Sequence, residues 1–309
     1  MLFVAGAAFL FATKGIFSKA LYQRGVGFEL LVTVRALLAM PLFLWFGLRA
    51  GPGKPWVGAD EEAPTLTVAA APPVRPRLGA LAAAALAGII CYYVGALVDF
   101  KALMLIDASI ERVLLFSYPA LVVMIGSILQ RRAPEGRVVA AMVVTYLGIW
   151  LVMGGVDARE LRANLYGAAL VLVAAFTTAI YFLISERYTR ELGSTRFAAV
   201  AMSASAVVLA IHYALFCSWA DIGRLDANEW LLLAVLGVAC MFVPGLLQAE
   251  GVRRVGAQLG AIASTIGPPT TILLAAIFFE ERLNAWQWLG SGLIVASVLV
   301  LTLGKSSGR

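Results

Sequence analysis

Charged and metal-binding side chains are scarce in this 309-residue sequence. Charged residues make up 14% of it, whereas about 25% is usual for a soluble domain. A single histidine and three cysteines without CxxC spacing argue against the usual metal sites, and we expect the cysteines to be apolar packing residues. The Walker A, GxSxG and HExxH motifs are also missing. We therefore expect neither an ATP-driven pump nor an enzyme, and no catalytic residue, cofactor or metal.

Apolar residues dominate the chain instead. They form 61% of the sequence, and the mean hydropathy is +0.90. Apolar runs of about 20 residues recur between short polar breaks, which is the length that crosses a bilayer as a helix, whereas a β-barrel would show alternating segments of about 10 residues. The sequence therefore predicts an all-α polytopic membrane protein. Its ten predicted transmembrane helices are 2–22, 28–49, 78–104, 107–130, 134–154, 164–186, 194–217, 229–250, 256–279 and 284–303.

The loops predict the orientation of the chain. Basic residues concentrate in alternate loops, such as Arg131 and Arg132 after the fourth span and Arg253 and Arg254 after the eighth. The positive-inside rule then places both termini in the cytoplasm, and the net charge of +6 needs no nucleic-acid partner to explain it. We expect the first span to be retained, because it lacks the basic start and cleavage site of a signal peptide. The proline-rich segment 50–77 is predicted to be a flexible cytoplasmic loop.

The two halves of the chain repeat one another. An ungapped shift that places Pro119 on Pro269 also places Gly95 on Gly245 and brings the spans of the two halves into register. Each half, 1–154 and 155–309, then holds five spans, and an odd number inverts the second copy in the membrane, as in secondary transporters. The alternative is that any two polytopic halves align through their hydropathy alone.

Both halves resemble the EamA family of the drug/metabolite transporter superfamily. The stretch "RRVGAQLGAIASTIGPPTTILLAAIFFEERLNAWQWLGSGLIVASVLV" is similar to the closing pattern of that family, and "ASIERVLLFSYPALVV" to its fourth helix. The positions that carry the resemblance are Lys19, Arg35, Pro119, Pro269, Glu281, Arg282 and Gly290. Phe11 and Ala12 stand where many members have Trp-Gly, and Lys14 stands where a small or uncharged residue is commoner. The resemblance implies a ten-helix inner-membrane transporter of amino acids, other metabolites or drugs.

Seven ionisable side chains gather in the outer half of the first repeat. They are Lys14, Lys19, Arg35, Asp99, Lys101, Glu111 and Arg112. In one interpretation, Asp99 or Glu111 neutralises Lys14 or Arg35 for helix packing, and the remaining cations reach the outer interface. In the other, the surplus positive charge attracts a carboxylate, and a Lys14–Glu111 pair opens and closes as a gate. We expect Lys19 and Arg112 to reach the interface, and Lys14, Arg35 and Glu111 to face a cavity.

Uncharged side chains complete the predicted site. Tyrosine rings are able to stack on an organic solute, although membrane aromatics are more often packing or belt residues. Ser264, next to the Gly-Pro-Pro sequence at 267–269, is able to bond either a neighbouring helix or a ligand. The predicted substrate pathway consists of Lys14, Arg35, Tyr92, Glu111, Tyr118, Tyr181, Gln248 and Ser264. Glu111 and Glu250 are the predicted proton-coupling residues, and His212 is a weaker candidate for a proton relay.

These features predict a secondary or facilitative transporter of the plasma membrane, which is the inner membrane in a Gram-negative cell. We expect export of amino-acid-like or carboxylated metabolites by alternating access, with a small solute, lipid and protons as partners and no nucleic acid. The alternatives are a drug or metabolite carrier of the same fold working in either direction, and a membrane sensor that transports nothing. A membrane enzyme would need a nucleophile and base that the sequence does not offer.

Overall fold

The computed structural model describes residues 2–49, 78–129, 136–152, 158–263, 267–279 and 283–303. Within these ranges all regular structure is helical. The α-helices are α1 Leu2–Ala12, α2 Lys14–Tyr22, α3 Phe28–Arg49, α4 Leu78–Gly88, α5 Ala96–Ala102, α6 Ala108–Leu115, α7 Tyr118–Leu129, α8 Gly136–Val152, α9 Ala158–Leu192, α10 Ser194–Phe216, α11 Ala227–Gly237, α12 Val243–Ala263, α13 Gly267–Phe279 and α14 Ala285–Leu303. The predicted loop 50–77, Ser264 and the Glu281-Arg282 pair lie outside the described residues.

Six helical stretches are long and apolar enough to cross a membrane. They are Phe28–Arg49, Leu78–Ala102, Ala108–Gly126, Ala163–Leu192, Ser194–Phe216 and Ala227–Arg254. All six coincide with predicted spans, which confirms an all-α membrane fold. The predicted spans 2–22, 134–154, 256–279 and 284–303 contain described helices that are not among these six. The total of ten spans and the side of the membrane on which the termini lie stay predictions.

Several helix boundaries differ from the predicted ones. The break expected between 250 and 256 is absent, because α12 continues from Val243 to Ala263. Arg253 and Arg254 lie one helical turn after Glu250 and pair with it, so a charged stretch that resembles a loop is stabilised as helix. For its part, α9 extends beyond its predicted limits of 164–186 at both ends.

Two predicted spans are interrupted in mid-course. The first is interrupted at Thr13, whose hydroxyl donates a hydrogen bond of 2.7 Å to the Leu10 carbonyl. The other is the fourth predicted span, 107–130, which is interrupted at Phe116 and Ser117. Two residues later stands Pro119, which has no N–H to continue the α-helical pattern.

Each half of the chain also contains a π-helical turn. The turns are Ile89–Gly95 and Val238–Phe242. The shift that places Pro119 on Pro269 places Ile89 on Ala239, so the second turn falls where the first half predicts it. Such turns widen a helix locally and are frequent at functional sites.

Small residues hold the helices close together. Gly148 in α8 and Gly290 in α14 face one another so closely that a Cβ on Gly290 would lie 2.5 Å from the Gly148 carbonyl oxygen. The hydroxyls of Thr145 and Ser297 join the same two helices at 2.6 Å. Close glycine contacts and interhelical hydroxyl bonds are the usual means of helix association in membranes.

Candidate substrate site

A cavity of about 120 Å³ lies between the two apolar cores of the protein. A buried water occupies roughly 10–15 Å³ on this scale, so the cavity has room for about ten non-hydrogen atoms. Six of the eight predicted pathway residues line it, namely Lys14, Arg35, Tyr92, Tyr118, Tyr181 and Gln248. Both halves of the chain therefore contribute to one partly charged cavity.

Lys14 forms the charged centre of one wall. It is the first residue of α2, directly after the interruption at Thr13, and only 7% of it is exposed. Its ammonium pairs with the carboxylate of Asp99 in α5 and lies 3.2 Å from Oε1 of Glu111 in α6. The structure thus brings together the two carboxylates and the lysine that the sequence singled out. Glu111 itself lies behind Lys14 and does not line the cavity.

Arg35 projects from α3 into the same cavity, but without a carboxylate partner. It is 4% exposed, and its guanidinium lies 4.2 Å from the centre of the Phe100 ring. Within the described part of the chain it makes no hydrogen bond or salt bridge, and its Nε is buried. A cation–π contact contributes about 2 kcal/mol when desolvated. It leaves the buried Nε of the guanidinium without an acceptor within the described residues.

Further unsatisfied polar atoms face this space. Among the described residues, nine buried side-chain atoms have no hydrogen bond of normal geometry. Four of them belong to cavity-lining residues: Nε of Arg35, Oδ1 of Asp99, Nε of Arg112 and the hydroxyl of Tyr181. Buried polar atoms are nearly always paired in native proteins, so these four atoms make the cavity a candidate ligand site.

Aromatic side chains form another part of the cavity lining. Tyr92 meets Tyr181 edge to face with ring centres 5.0 Å apart, and Tyr118 lies 5.0 Å from Phe182. Gln248 of α12 adds an amide to this side. These rings offer an apolar surface to a carbon skeleton in the same cavity as the charged groups.

Arg112 corrects one expectation. We expected it to extend to the outer interface, but it turns inward, lines the cavity and donates a hydrogen bond of 3.3 Å from Nη2 to the Ala8 carbonyl. Its neighbour Glu111 faces Lys14 of α2, whereas Arg112 contacts α1. The sequence does not reveal which helix each of two adjacent polar side chains contacts. Lys19 does lie near the surface, where its ammonium is 3.4 Å from Oδ1 of Asp107, and Lys101 is exposed.

Phe100 and Asp99 are the other site residues that sequence reasoning left out of the pathway. Phe100 looks like an ordinary core aromatic, yet its ring faces both Lys14 and Arg35. The sequence suggests Asp99 only as an acid that neutralises a cation between packed helices. The signal available in the sequence was that two buried cations need an acid at the same depth.

Glu250 lies away from the cavity wall. It is fully buried and accepts hydrogen bonds from Nε and Nη2 of Arg253, at 2.9 and 2.7 Å, and from Nε of Arg254, at 2.5 Å. The hydroxyl of Ser194, at the start of α10, donates a fourth bond of 2.5 Å. The cluster therefore ties α12 to α10. His212 lies 3.1 Å from the Tyr93 hydroxyl, and no group of metal-binding side chains occurs among the described residues.

Comparison with known proteins identifies the family. The profile of the EamA-like transporter family matches residues 1–154 and 165–303. The chain belongs to the EamA-like transporter family. It is therefore a multi-pass membrane protein and a transporter.

The relatives of this EamA-like chain are named as transporters too. The uncharacterized transporter YcbK of Bacillus subtilis is 30% identical over 297 residues, which cover 93% of this chain and 89% of the relative. The uncharacterized inner membrane transporter YicL of Salmonella typhimurium is 24% identical over 64% of this chain and 65% of its own length. One solved crystal structure is similar to this EamA-like chain with a TM-score of 0.67 and 18% sequence identity. The match covers 100% of this chain and 98% of the chain in that structure, and at this identity it supports the fold alone.

Proposed function

We propose that the protein is a secondary transporter that exports a small carboxylated or amino-acid-like metabolite across the plasma membrane by alternating access. The observation that carries the proposal is Arg35, a buried guanidinium without an acidic partner in the described structure, facing a cavity lined by both halves of the chain. A carboxylate of the solute supplies the two acceptors that this planar group needs. An amino group, where the solute has one, lies towards the free Oδ1 of Asp99.

The architecture for this function is ten helices in two inverted five-helix repeats, 1–154 and 155–309, with both termini in the cytoplasm. The corresponding π-helical turns at Ile89–Gly95 and Val238–Phe242 support the repeat. Interrupted helices at corresponding depths are the usual setting of the central site in transporters built from inverted repeats. Rocking one repeat against the other exposes the cavity to each side in turn.

Glu111 is the proposed site of proton exchange. The groups that face it are Lys14 from α2, Asp99 from α5 and its neighbour Arg112. Lys14 neutralises only one of the two carboxylates, so the other is able to hold a proton and to exchange it when the site opens to either side. Glu250 is the second candidate, and its four hydrogen bonds support a role in closing the path between α10 and α12.

The experiment that tests the function is flux into proteoliposomes containing the purified protein, with and without a pH gradient, using labelled carboxylates, amino acids and cationic drugs. Arg35→Gln keeps the length and polarity of the side chain but removes the charge. We expect the flux of the carboxylated solute to fall about 10- to 100-fold, since a charge-assisted hydrogen bond contributes roughly 1.5–3 kcal/mol. The matched control is Arg224→Gln, because the Arg224 side chain is 79% exposed and outside the cavity.

Several outcomes would overturn the proposal. Absence of flux for every solute argues against transport. A flux of cationic drugs that is the same in Arg35→Gln as in the wild-type protein indicates a drug carrier instead. Export is tested by comparing right-side-out with inverted vesicles. Proton exchange fails if Glu111→Gln and Lys14→Met both leave the pH dependence of flux unchanged in correctly folded protein.

A further inference from the structure

A second guanidinium that lacks an acidic partner faces the central cavity. Arg112, from α6, forms no salt bridge within the described residues, and its Nε is buried without a hydrogen bond. Its one described hydrogen bond is the long one to the Ala8 carbonyl. Arg112 and Arg35 therefore share one cavity but belong to different helices and rest on different neighbours.

The backbone around Arg112 is shaped to hold its side chain in place. The guanidinium lies against Gly267, the first residue of α13, where a Cβ would stand 2.5 Å from Nη2 and 3.2 Å from Nε and Cζ. No side chain larger than hydrogen fits there without moving Arg112. The Ala8 carbonyl of α1 holds Nη2, which leaves Nε of the fork without a partner. The arginine is thus positioned from two sides and remains unsatisfied.

The other charges of the site do not neutralise this pair. Lys14 contacts both Asp99 and Glu111, and with the proton that Glu111 holds in the proposed function, Asp99 is the one ionised acid, which Lys14 neutralises. Arg35 stacks on Phe100 and makes no salt bridge within the described residues. Two arginines are consequently left for one occupant, whereas a monoanion or a zwitterion brings a single acidic group.

We propose that the transported solute is a small dianion, with one acidic charge held by Arg35 and the other by Arg112, and that Arg112 selects dianions over monoanions. This inference rests on the proposed transport function. Dicarboxylates and phosphate monoesters share the required chemistry, because guanidinium groups bind both in a bidentate manner. The cavity admits about ten non-hydrogen atoms, which suits a four-carbon dicarboxylate or a three-carbon phosphate ester.

The test is flux into proteoliposomes of the full-length protein with four labelled probes of similar size. They are succinate as the dicarboxylate, glycerol 3-phosphate as the phosphate ester, butyrate as the monoanion and 4-aminobutyrate as the zwitterion. For the wild-type protein we expect at least one dianion to exceed butyrate and 4-aminobutyrate in flux by about 10-fold or more, since a site built to pair a polar group rejects an analogue that lacks it. The two dianions distinguish a dicarboxylate from a phosphate ester.

Two variants separate selection from folding. Arg112→Gln is expected to raise the KM for the dianion about 10-fold or more while changing that for butyrate less than about 2-fold, and Arg112→Lys is expected to restore part of the loss. Gly267→Ala displaces the guanidinium without removing it and shifts the selectivity in the same direction. Gly292→Ala is the matched control, because a Cβ there meets open space.

The outcomes divide clearly. Flux of butyrate or 4-aminobutyrate equal to that of both dianions overturns the dianion assignment while transport itself stands. An equal loss for all four probes in Arg112→Gln, in protein that elutes as a folded species, overturns the selective role of Arg112. Absence of flux for all four probes, when amino acids or drugs are transported, also overturns the assignment. Absence of flux for every solute removes the proposed function together with this inference.

Discussion

Replacing Lys14 with methionine tests the charged centre of the cavity. The substitution nearly conserves the volume of the side chain but removes the ammonium that contacts Asp99 and Glu111. Breaking a buried ion pair by removing one partner typically costs about 3–5 kcal/mol, because the remaining charge stays buried without compensation. Here two carboxylates lose their cation at once. We therefore expect Lys14→Met to lower the free energy of unfolding by about 3–5 kcal/mol.

Two further variants are compared with Lys14→Met by their free energies of unfolding. Glu111→Gln leaves the Lys14–Asp99 pair in place and removes a single charge-assisted hydrogen bond, so its cost is expected to be about 1.5–3 kcal/mol. The triple variant Lys14→Met, Asp99→Asn, Glu111→Gln contains no unpaired charge. It should recover most of the stability lost in Lys14→Met, since neutral replacements of buried ion clusters are often tolerated.

The assay is unfolding by sodium dodecyl sulfate in mixed micelles, followed by circular dichroism. The order of stability expected is wild type, then Glu111→Gln, then Lys14→Met. A Lys14→Met protein within about 1 kcal/mol of wild type would refute the reasoning, because that is the scale of an exposed ion pair. A triple variant as unstable as Lys14→Met would refute it as well, since the loss would then come from packing instead of charge.

Three further predictions concern other parts of the protein. Gly290→Ala should destabilise the protein by about 1–3 kcal/mol in the same assay, because the added Cβ meets a backbone carbonyl at 2.5 Å, whereas Gly292→Ala should stay near wild type. Glu250→Gln should lower the free energy of unfolding by about 1.5–3 kcal/mol. Flux measured at several pH values should keep in Glu250→Gln the pH dependence that it loses in Glu111→Gln. Tyr181→Phe removes a hydroxyl that has no hydrogen bond of normal geometry within the described residues, so the free energy of unfolding should be unchanged or slightly higher, while solute flux into proteoliposomes should fall.

The membrane-spanning helices were largely predictable from the sequence, because lipid imposes a simple rule of length and polarity. A run such as 28–49 has only one structure that satisfies its backbone in a bilayer. The same rule directed attention to Lys14, Arg35 and Glu111, since buried ionisable groups need a partner or a cavity. The structure gathers Lys14 and Glu111 with Asp99 and places Arg35 in the adjoining cavity.

The features that were not predictable depend on the direction in which a side chain points from its helix, and not on its depth in the membrane. Glu111 and Arg112 are adjacent, and successive residues on an α-helix point about 100° apart, so the sequence does not say which of them faces the interior. The structure shows that both do, towards different neighbours. The continuation of α12 through Arg253 and Arg254 was missed for a similar reason, since a charged run resembles a loop until its pairing with Glu250 is seen.

The unsatisfied atoms of the cavity connect stability to transport. A buried polar atom without a partner costs about 1–3 kcal/mol, so in the proposed function the solute-free protein is less stable than one with a fully paired core would be. A solute that supplies the missing partners removes this cost only when it is bound, and it must be released again on the other side of the membrane. Changes that complete the hydrogen bonds of Arg35 within the protein should therefore stabilise the empty form and weaken solute binding at the same time. In the proposed function, Arg35, which has no salt bridge within the described residues, therefore serves to bind solute and not to pack the helices.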